Sequence, residues 1–394
     1  MAHHTTHHHR YFANPEEPLT SFEPRRELLA SLDRIVALRP PVHTCSTGWE
    51  FRGLYAGPTS IAYLFYRLSL LYPGLQLKRQ SLGDWAREYL DLGARVRHKD
   101  PSPGHCGVAC EALARLALAA AMDRDADLAR SLCGHEAAVN ASADDGSNEW
   151  LYGRAGWLYL LRLCRSAFLP DQGDDVVPQL DGTIEATVRR ILRVPQPWRW
   201  HGAHYLGAAH GTASVITQVV LSRPASAGQL QYLLSRLLDR QLPSGNFPSS
   251  VHSSYDGNPH DRLVQFCHGG PGLVLSLRSL LPYFAAGSGL GDKMRAAMAA
   301  AQADVGERGV LRKDPCLCHG AAGNALALDD DAQFRVFLSC LATDSMAKLG
   351  WAGGKDKTRG GESASLYTGE AGRAWVWAVA DKKLPRTCIG YNDL

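Results

Sequence analysis

The sequence predicts an all-α protein: seven helical hairpins closed into a seven-fold double α/α toroid, an inner ring of helices inside an outer ring. Three observations predict it. A tetrad of small residues recurs along the chain, each copy opens an apolar stretch of helical character, and amphipathic stretches fill the intervals. Internal repetition on this length scale is the signature of arrayed helical units.

The tetrads are Gly57-Pro-Thr-Ser60, Gly107-Val-Ala-Cys110, Gly153-Arg-Ala-Gly156, Gly211-Thr-Ala-Ser214, Gly269-Gly-Pro-Gly272, Gly320-Ala-Ala-Gly323 and Gly369-Glu-Ala-Gly372, at intervals of 50, 46, 58, 58, 51 and 49 residues. One such tetrad is weak evidence; seven at near-constant spacing are not chance. The apolar stretches that follow include 61–71, 111–121, 157–168, 273–281 and 373–380. The amphipathic ones include 26–38, 82–96, 183–192 and 293–305. The clearest carries Leu230, Leu233, Leu234, Leu237 and Leu238, one face of a helix. Apolar helices belong inside and amphipathic ones outside. Small residues at the inner helix starts let neighbouring backbones crowd together. An open solenoid needs polar caps, yet the last copy carries Trp375 and Trp377 and is as apolar as the middle ones. That favours closure, with all seven turns gathered at one end around a cavity. Strand signals are weak, and stretches such as 212–220 fall within the helical pattern.

The chain has 394 residues, 45% hydrophobic and 21% charged, with a net charge of +3. That composition excludes a disordered chain. The charge balance gives no reason to expect nucleic acid or an anionic membrane as the main partner. The longest apolar runs, such as 116–122, are far too short to span a bilayer. The start of the chain is His-rich (His3, His4, His7, His8, His9), able to bind metal adventitiously, and has no apolar segment of a secretory signal. The ten cysteines then read as thiols or ligands rather than a disulfide framework, with Cys133, Cys164 and Cys340 as core residues. The expected location is cytoplasmic, with peripheral-membrane or nuclear association left open. The expected organisation is an amino-terminal extension and arm, 1–22, and a single toroid domain, 23–394.

Three copies carry chemistry at the turn: Ala208-Ala209-His210-Gly211, Phe266-Cys267-His268-Gly269 and Leu317-Cys318-His319-Gly320. Equivalence by repeat points them at one cavity. Cys267, Cys318 and His319 form a candidate zinc set, because two thiolates and an imidazole suit zinc and leave a fourth position open, as catalytic sites do. Cys316 and His268 are spare candidates. His210 holds the same turn position without a cysteine and is a candidate general acid/base. Glu149, four residues before Gly153, either orients His210 or is an ordinary helix-end carboxylate.

These turns resemble the eukaryotic LanC-like proteins, relatives of the bacterial lanthionine synthetase C cyclases. The resemblance rests on Trp200-His201-x-x-x-Tyr205-Leu206-Gly207-Ala208-Ala209-His210-Gly211, on 263–272 and on 317–325. Leu151-Tyr152-Gly153-Arg154-Ala155-Gly156, Pro243-Ser244-Gly245-Asn246-Phe247-Pro248-Ser249 and Ser365-Leu366-Tyr367-x-Gly369-x-Ala371-Gly372 support it, and it runs from about Arg10 to Leu394. It implies the double toroid, one catalytic zinc on Cys267, Cys318 and His319, His210 as the catalytic histidine, and Glu149 at the place of a bacterial aspartate. It further implies glutathione as co-substrate, added to dehydroalanine or dehydrobutyrine formed by eliminating phosphate from phosphoserine or phosphothreonine. Arg10, in a motif similar to Arg-x-Phe-x-Asn-Pro, and Lys313 would contact glutathione or phosphate. The chain departs from the pattern at Phe266 for tryptophan, Ser214 for glycine, and Asp314-Pro315-Cys316-Leu317 for Gly-Tyr-Gly-Leu.

The expected activity is therefore a glutathione S-transferase or lyase-like thiol addition. Its substrates would be peptides or proteins with dehydroamino acids or phosphorylated Ser/Thr, and kinases are a candidate partner class. Two alternatives use the same ligands: a non-catalytic glutathione- and zinc-binding adaptor, and a lanthionine-type peptide cyclase. A carbohydrate-active toroid would need two cavity carboxylates; the turns offer only Glu370 and Glu149, while Asp329-Asp330-Asp331 reads as a solvated helix end.

Overall fold

The computed structural model describes residues 10–42, 48–141, 147–168, 176–251, 261–284, 289–349 and 364–394; the His-rich start and Cys45 lie outside the described residues. Seven helices follow the seven tetrads: α2 (Pro58–Leu71), α4 (Glu111–Asp123), α7 (Arg154–Ser166), α9 (Thr212–Ser222), α11 (Gly270–Phe284), α13 (Ala321–Ala327) and α16 (Glu370–Lys382). Each packs on the next, and α16 packs back on α2, so the inner ring is closed. The outer helices are α1 (Pro24–Leu38), α3 (Leu82–Ala94), α5 (Ala126–Cys133), α8 (Val176–Arg193), α10 (Ala227–Leu238), α12 (Gly289–Arg308) and α14 (Asp331–Leu341). Each lies against an inner helix, with α1 against α16. Short helices α6 (Glu136–Val139) and α15 (Thr343–Lys348), a 3-10 turn (Pro224–Ser226) and a hairpin of two-residue strands β1 (Gln76–Leu77) and β2 (Gln80–Ser81) complete the described fold.

The two rings start their helices differently. Outer helices α1, α3, α5 and α14 use side-chain caps: Glu23 accepts from the N–H groups of Arg25 and Arg26, Ser81 from Asp84, Asp125 from Asp127 and Leu128, and Asp330 from Gln333. Asp330 is thus the helix end that its acidic run predicts. Inner helices α2, α7, α9, α13 and α16 have glycine at the N-cap and no side-chain cap. Their starts are crowded by backbone instead, chiefly that of the turn leading into each helix.

A closed relay of backbone hydrogen bonds joins those turns. Leu54 N–H donates to Val108 O (2.8 Å), Ala109 to Leu151 (2.9 Å), Leu151 to Ala209 (3.3 Å) and Ala209 to Cys267 (3.4 Å). Cys267 donates to Cys318 (3.1 Å), Cys318 to Tyr367 (2.9 Å), and Tyr367 back to Tyr55 (3.1 Å). The glycines make this relay sterically possible. In four copies the carbonyl six residues earlier lies on the helix start: a Cβ would stand 1.9 Å from Trp150 O at Gly156, 2.0 Å from Phe266 O at Gly272, 1.9 Å from Leu317 O at Gly323 and 2.3 Å from Leu366 O at Gly372. Gly269 also holds φ +116°, a region side chains rarely enter. Ser214, the departure from glycine, turns its hydroxyl onto Gly211 O (2.8 Å), as Ser60 does onto Gly57 O (2.7 Å).

The second tetrad differs from expectation. Gly107 precedes the helix cap, Cys110, by three residues. It lies two residues before the relay residue Ala109, where a Cβ would stand 2.5 Å from Leu151 O. The glycine serves the contact between turns rather than the helix start.

The segment 387–394 fills the ring from the side opposite the turns. Tyr391 O accepts from Gln218 of α9, and its hydroxyl meets Ser276 of α11. Asn392 donates to Leu275 O and Ser279. Asp393 accepts from Tyr63 and Arg67 of α2 and from Tyr159 of α7. Tyr391 then packs edge-on against Trp150 and Phe266, at 5.6 and 5.2 Å between ring centroids, directly beneath the turns.

Gly323→Ala forces the Leu317–Cys318 turn away from its helix. It is expected to lower stability by at least about 2 kcal/mol in urea unfolding. Gly182→Ala on α8, where a Cβ meets nothing within 4 Å, is expected to leave stability unchanged or raise it by up to about 1 kcal/mol. Equal effects of the two would contradict the crowding argument.

Candidate active site

The relay fixes a register for the site. Its residues are Tyr55, Ala109, Leu151, Ala209, Cys267, Cys318 and Tyr367. The residues following four of them are Tyr152, His210, His268 and His319; those two before include Glu149, Gln265 and Cys316. Residues about 50 apart in sequence thereby become neighbours on one circle.

His210 and Glu149 come together. His210 Nδ1 lies 3.0 Å from Glu149 Oε2. The carboxylate is buried and also accepts from Ser147 Oγ (3.0 Å), Leu151 N–H (2.7 Å) and Tyr152 N–H (2.6 Å). An ionised carboxylate only accepts, so Nδ1 carries the proton and Nε2 is the nitrogen left for chemistry. The imidazole is stacked on Trp200, 3.8 Å between centroids and 2° from parallel. Tyr152 lies nearly parallel to it at 6.0 Å, and Tyr205 is also at 6.0 Å. Ring position and tautomer are therefore fixed from several sides.

Cys267 and Cys318 also come together, both buried and hydrogen-bonded to each other. The bond from Cys318, helped by Gln265 and Lys313, holds the Cys267 thiol below its ordinary range; the same bond and burial push Cys318 up. Gln265 Nε2 donates to Cys267 Sγ at 3.1 Å, and Lys313 Nζ donates to Gln265 Oε1 at 3.0 Å. Tyr55 OH donates to Cys318 Sγ at 3.2 Å. His319 follows Cys318 directly in the chain and is only partly exposed. Among the described residues, no three His, Cys, Asp or Glu side chains already stand together as a metal-ligating group. The donor chemistry fits a thiophilic cation: two soft sulfurs side by side, with an imidazole on the next residue. Cys316, two residues before, is a buried thiol pushed up to about 12 by burial. His268 has a buried Nδ1 without a partner in the structure, and burial, then His210 and Lys313, lower it to about 4, so it is a neutral imidazole.

Lys313 reaches the thiol pair through Gln265 despite Pro315 in the chain between. Arg10 is exposed; its carbonyl accepts from Arg312 N–H (2.9 Å), and Tyr11 bridges Leu311. The arm therefore runs beside 310–312, which lead into Lys313. Glu370 does not join Glu149: Arg34 and Arg373 hold it. Four residues had no role in the sequence reading. Tyr55 and Tyr152 occupy relay-register positions that aligning the seven turns by hydrogen-bond register would have exposed. Trp200 stood within a quoted motif. Arg52 donates to Tyr152 OH (2.8 Å) and lies over the Tyr55 ring (5.1 Å); no pattern marks it.

Glu149→Ala removes an acceptor of His210 and of the Leu151 and Tyr152 backbone N–H groups, of which Leu151 keeps Ala209 O. It is expected to cost about 2–4 kcal/mol in urea unfolding, with Glu149→Gln, which keeps an acceptor oxygen, costing less than half of that.

Residues 48–333 match the family described as lanthionine synthetase C-like protein. A zebrafish (Danio rerio) relative called Glutathione S-transferase LANCL1 is 30% identical over 258 residues, 60% of each chain. LanC-like protein GCL1 of Arabidopsis thaliana is 31% identical over 271 residues, 61% of this chain and 57% of that one. The matched region thus spans about three-fifths of these relatives. A solved nisin cyclase superposes with a TM-score of 0.57 over 92% of this chain and 95% of that chain, at 14% identity, which speaks to the toroid alone. By the family match and the closed ring of seven turns, the chain belongs to the lanthionine synthetase C-like family.

Proposed function

We propose that this protein adds the thiol of glutathione to dehydroalanine or dehydrobutyrine residues of peptides or proteins, with a zinc ion held by Cys267, Cys318 and His319. Residues 23–394 act as one toroid domain and 1–22 as an arm that brings Arg10 to the rim. The observation that carries the reading is the hydrogen bond from Ala209 to Cys267, which makes the His210 turn the direct neighbour of the thiol turn. A relative named for glutathione S-transferase activity supports the same chemistry.

Zinc, when bound, supplies a Lewis-acid centre at which an incoming thiol loses its proton near neutral pH. The protein's residues do the rest. His210 Nε2 takes up the thiol proton, the thiolate sulfur bonds to Cβ, the Cα=Cβ electron pair moves to Cα, and Nε2 returns the proton there, giving a thioether. Glu149 holds the opposite nitrogen and stabilises the imidazolium. For prior elimination the same nitrogen takes the Cα proton, the Cβ–O bond breaks, and phosphate leaves toward Lys313 and Arg10. A protein that only bound glutathione and zinc has no use for a histidine aligned by a buried carboxylate and stacked on Trp200.

Mass spectrometry of a dehydroalanine peptide with glutathione, with and without the protein, tests the reading. Adduct well above the uncatalysed rate is expected, falling about a hundredfold or more in His210→Ala. An unchanged rate in that variant would overturn the role of His210, and no enhancement by zinc-loaded protein would overturn the activity. Chelation of zinc is expected to abolish addition while leaving far-ultraviolet circular dichroism unchanged, because the relay closes through protein groups alone.

A further inference from the structure

A second concavity lies on the flank of the toroid, between α10 and the segment 196–206. Its volume is about 350 Å³. Leu206, Leu233, Leu237 and Val251 form an apolar floor, and Arg199, Arg236, Arg240 and Tyr232 form the rim. Among the described residues no carboxylate lines it. Tyr232 is 77% exposed, the most exposed large hydrophobic among the described residues. The guanidinium groups are weakly committed. Arg199 donates to Gly202 O (3.1 Å), and Arg236 has Asp239 at 3.9 Å, both largely in solvent. An exposed tyrosine among arginines over an apolar floor is the composition of protein-recognition surfaces.

The pocket is joined to the candidate active site. A larger cleft, about 840 Å³, shares Gln196, Pro197 and Arg199 with it and continues to Trp200 and Ser147. Trp200 is the stacking partner of His210, and Ser147 donates to Glu149. The pocket wall also includes Leu206 and Thr212, which bracket the His210 turn. One surface track therefore runs along 194–202 from Trp200 and Ser147, the partners of His210 and Glu149, to the arginine rim.

We propose that this pocket is a substrate-recognition subsite: it takes a peptide segment with an apolar side chain on the floor and a neighbouring anionic side chain, carboxylate or phosphate, on Arg236 and Arg240. The proposal rests on the reaction assigned above in that the bound segment then leads along the track to His210. An extended peptide suits the track, since its side chains alternate between floor and rim. A lipid surface does not, because a flat bilayer cannot reach an apolar floor set behind a rim.

Fluorescence anisotropy on the full chain tests this without turnover. The probes are short labelled peptides alike except for one glutamate, phosphoserine or glutamine beside an apolar residue. The anionic probes are expected to bind about tenfold tighter than the glutamine probe, each rim charge contributing a factor of up to about five. The advantage should vanish in Arg236→Glu/Arg240→Glu, whose exposed positions leave folding intact by thermal melt, and shrink with salt. Glutamate and phosphoserine probes together separate carboxylate from phosphate preference. Equal binding of the glutamine probe, an unchanged double variant, or displacement of the peptide by anionic vesicles would overturn the proposal. Turnover of a single-residue dehydroalanine amide, too small to reach the rim, should be the same in the double variant; its absence in the wild type with peptide binding intact overturns the reaction and keeps the pocket.

Discussion

The backbone relay from turn to turn is the constraint on which the rest of the structure depends. Seven chain segments meet on one circle, each donating an N–H to the next and the last returning to the first. Buried backbone groups need partners, and here the partner of each turn is its neighbour. In four of the seven copies closure brings the carbonyl before the relay residue almost onto the following helix. A methyl group cannot stand there, so Gly156, Gly272, Gly323 and Gly372 are fixed by contact, not by flexibility. The same geometry aims whatever follows a relay residue into a shared space, and histidine occupies that place in three consecutive copies.

The chemistry follows from what surrounds that circle. Trp150, Phe266, Tyr367 and Tyr391 pack together below it, a low-dielectric floor. On such a floor a hydrogen bond is strong and an unpaired charge costly. The two ionisable centres are accordingly over-determined. Glu149 accepts four hydrogen bonds, and Cys267 takes hydrogen bonds from Cys318 and Gln265, with Lys313 behind. The segment 387–394 ties this floor to α2, α7, α9 and α11, so helix packing on one side of the ring supports the turns on the other.

Much of this was legible in the sequence, and the limits have physical reasons. The inner helices were readable because small residues mark their starts and apolar residues fill them. Of the outer helices, α5 gave no readable pattern because it is short, and α14 was not singled out although Phe334, Phe337, Leu338 and Leu341 share one face. Gly107 was misplaced by four residues of register because glycine serves two contacts, the helix start and the approach two residues before the relay. His210, Cys267 and Cys318 could be paired from repeat equivalence alone. That Glu149 orients His210 rather than closing a helix end needed coordinates, because the reach spans 61 residues. Arg52 and Tyr55 act through the closure itself: the last turn returns to the first, and no local pattern records that contact.

The central claim is that the ring holds two thiols, Cys267 and Cys318, as an open metal site for a third. X-ray absorption at the zinc edge of the metal-loaded protein tests it most directly. The account predicts two sulfur neighbours at about 2.3 Å in the protein alone and three when glutathione is added. A coordination shell unchanged by glutathione, or one without sulfur, would contradict it.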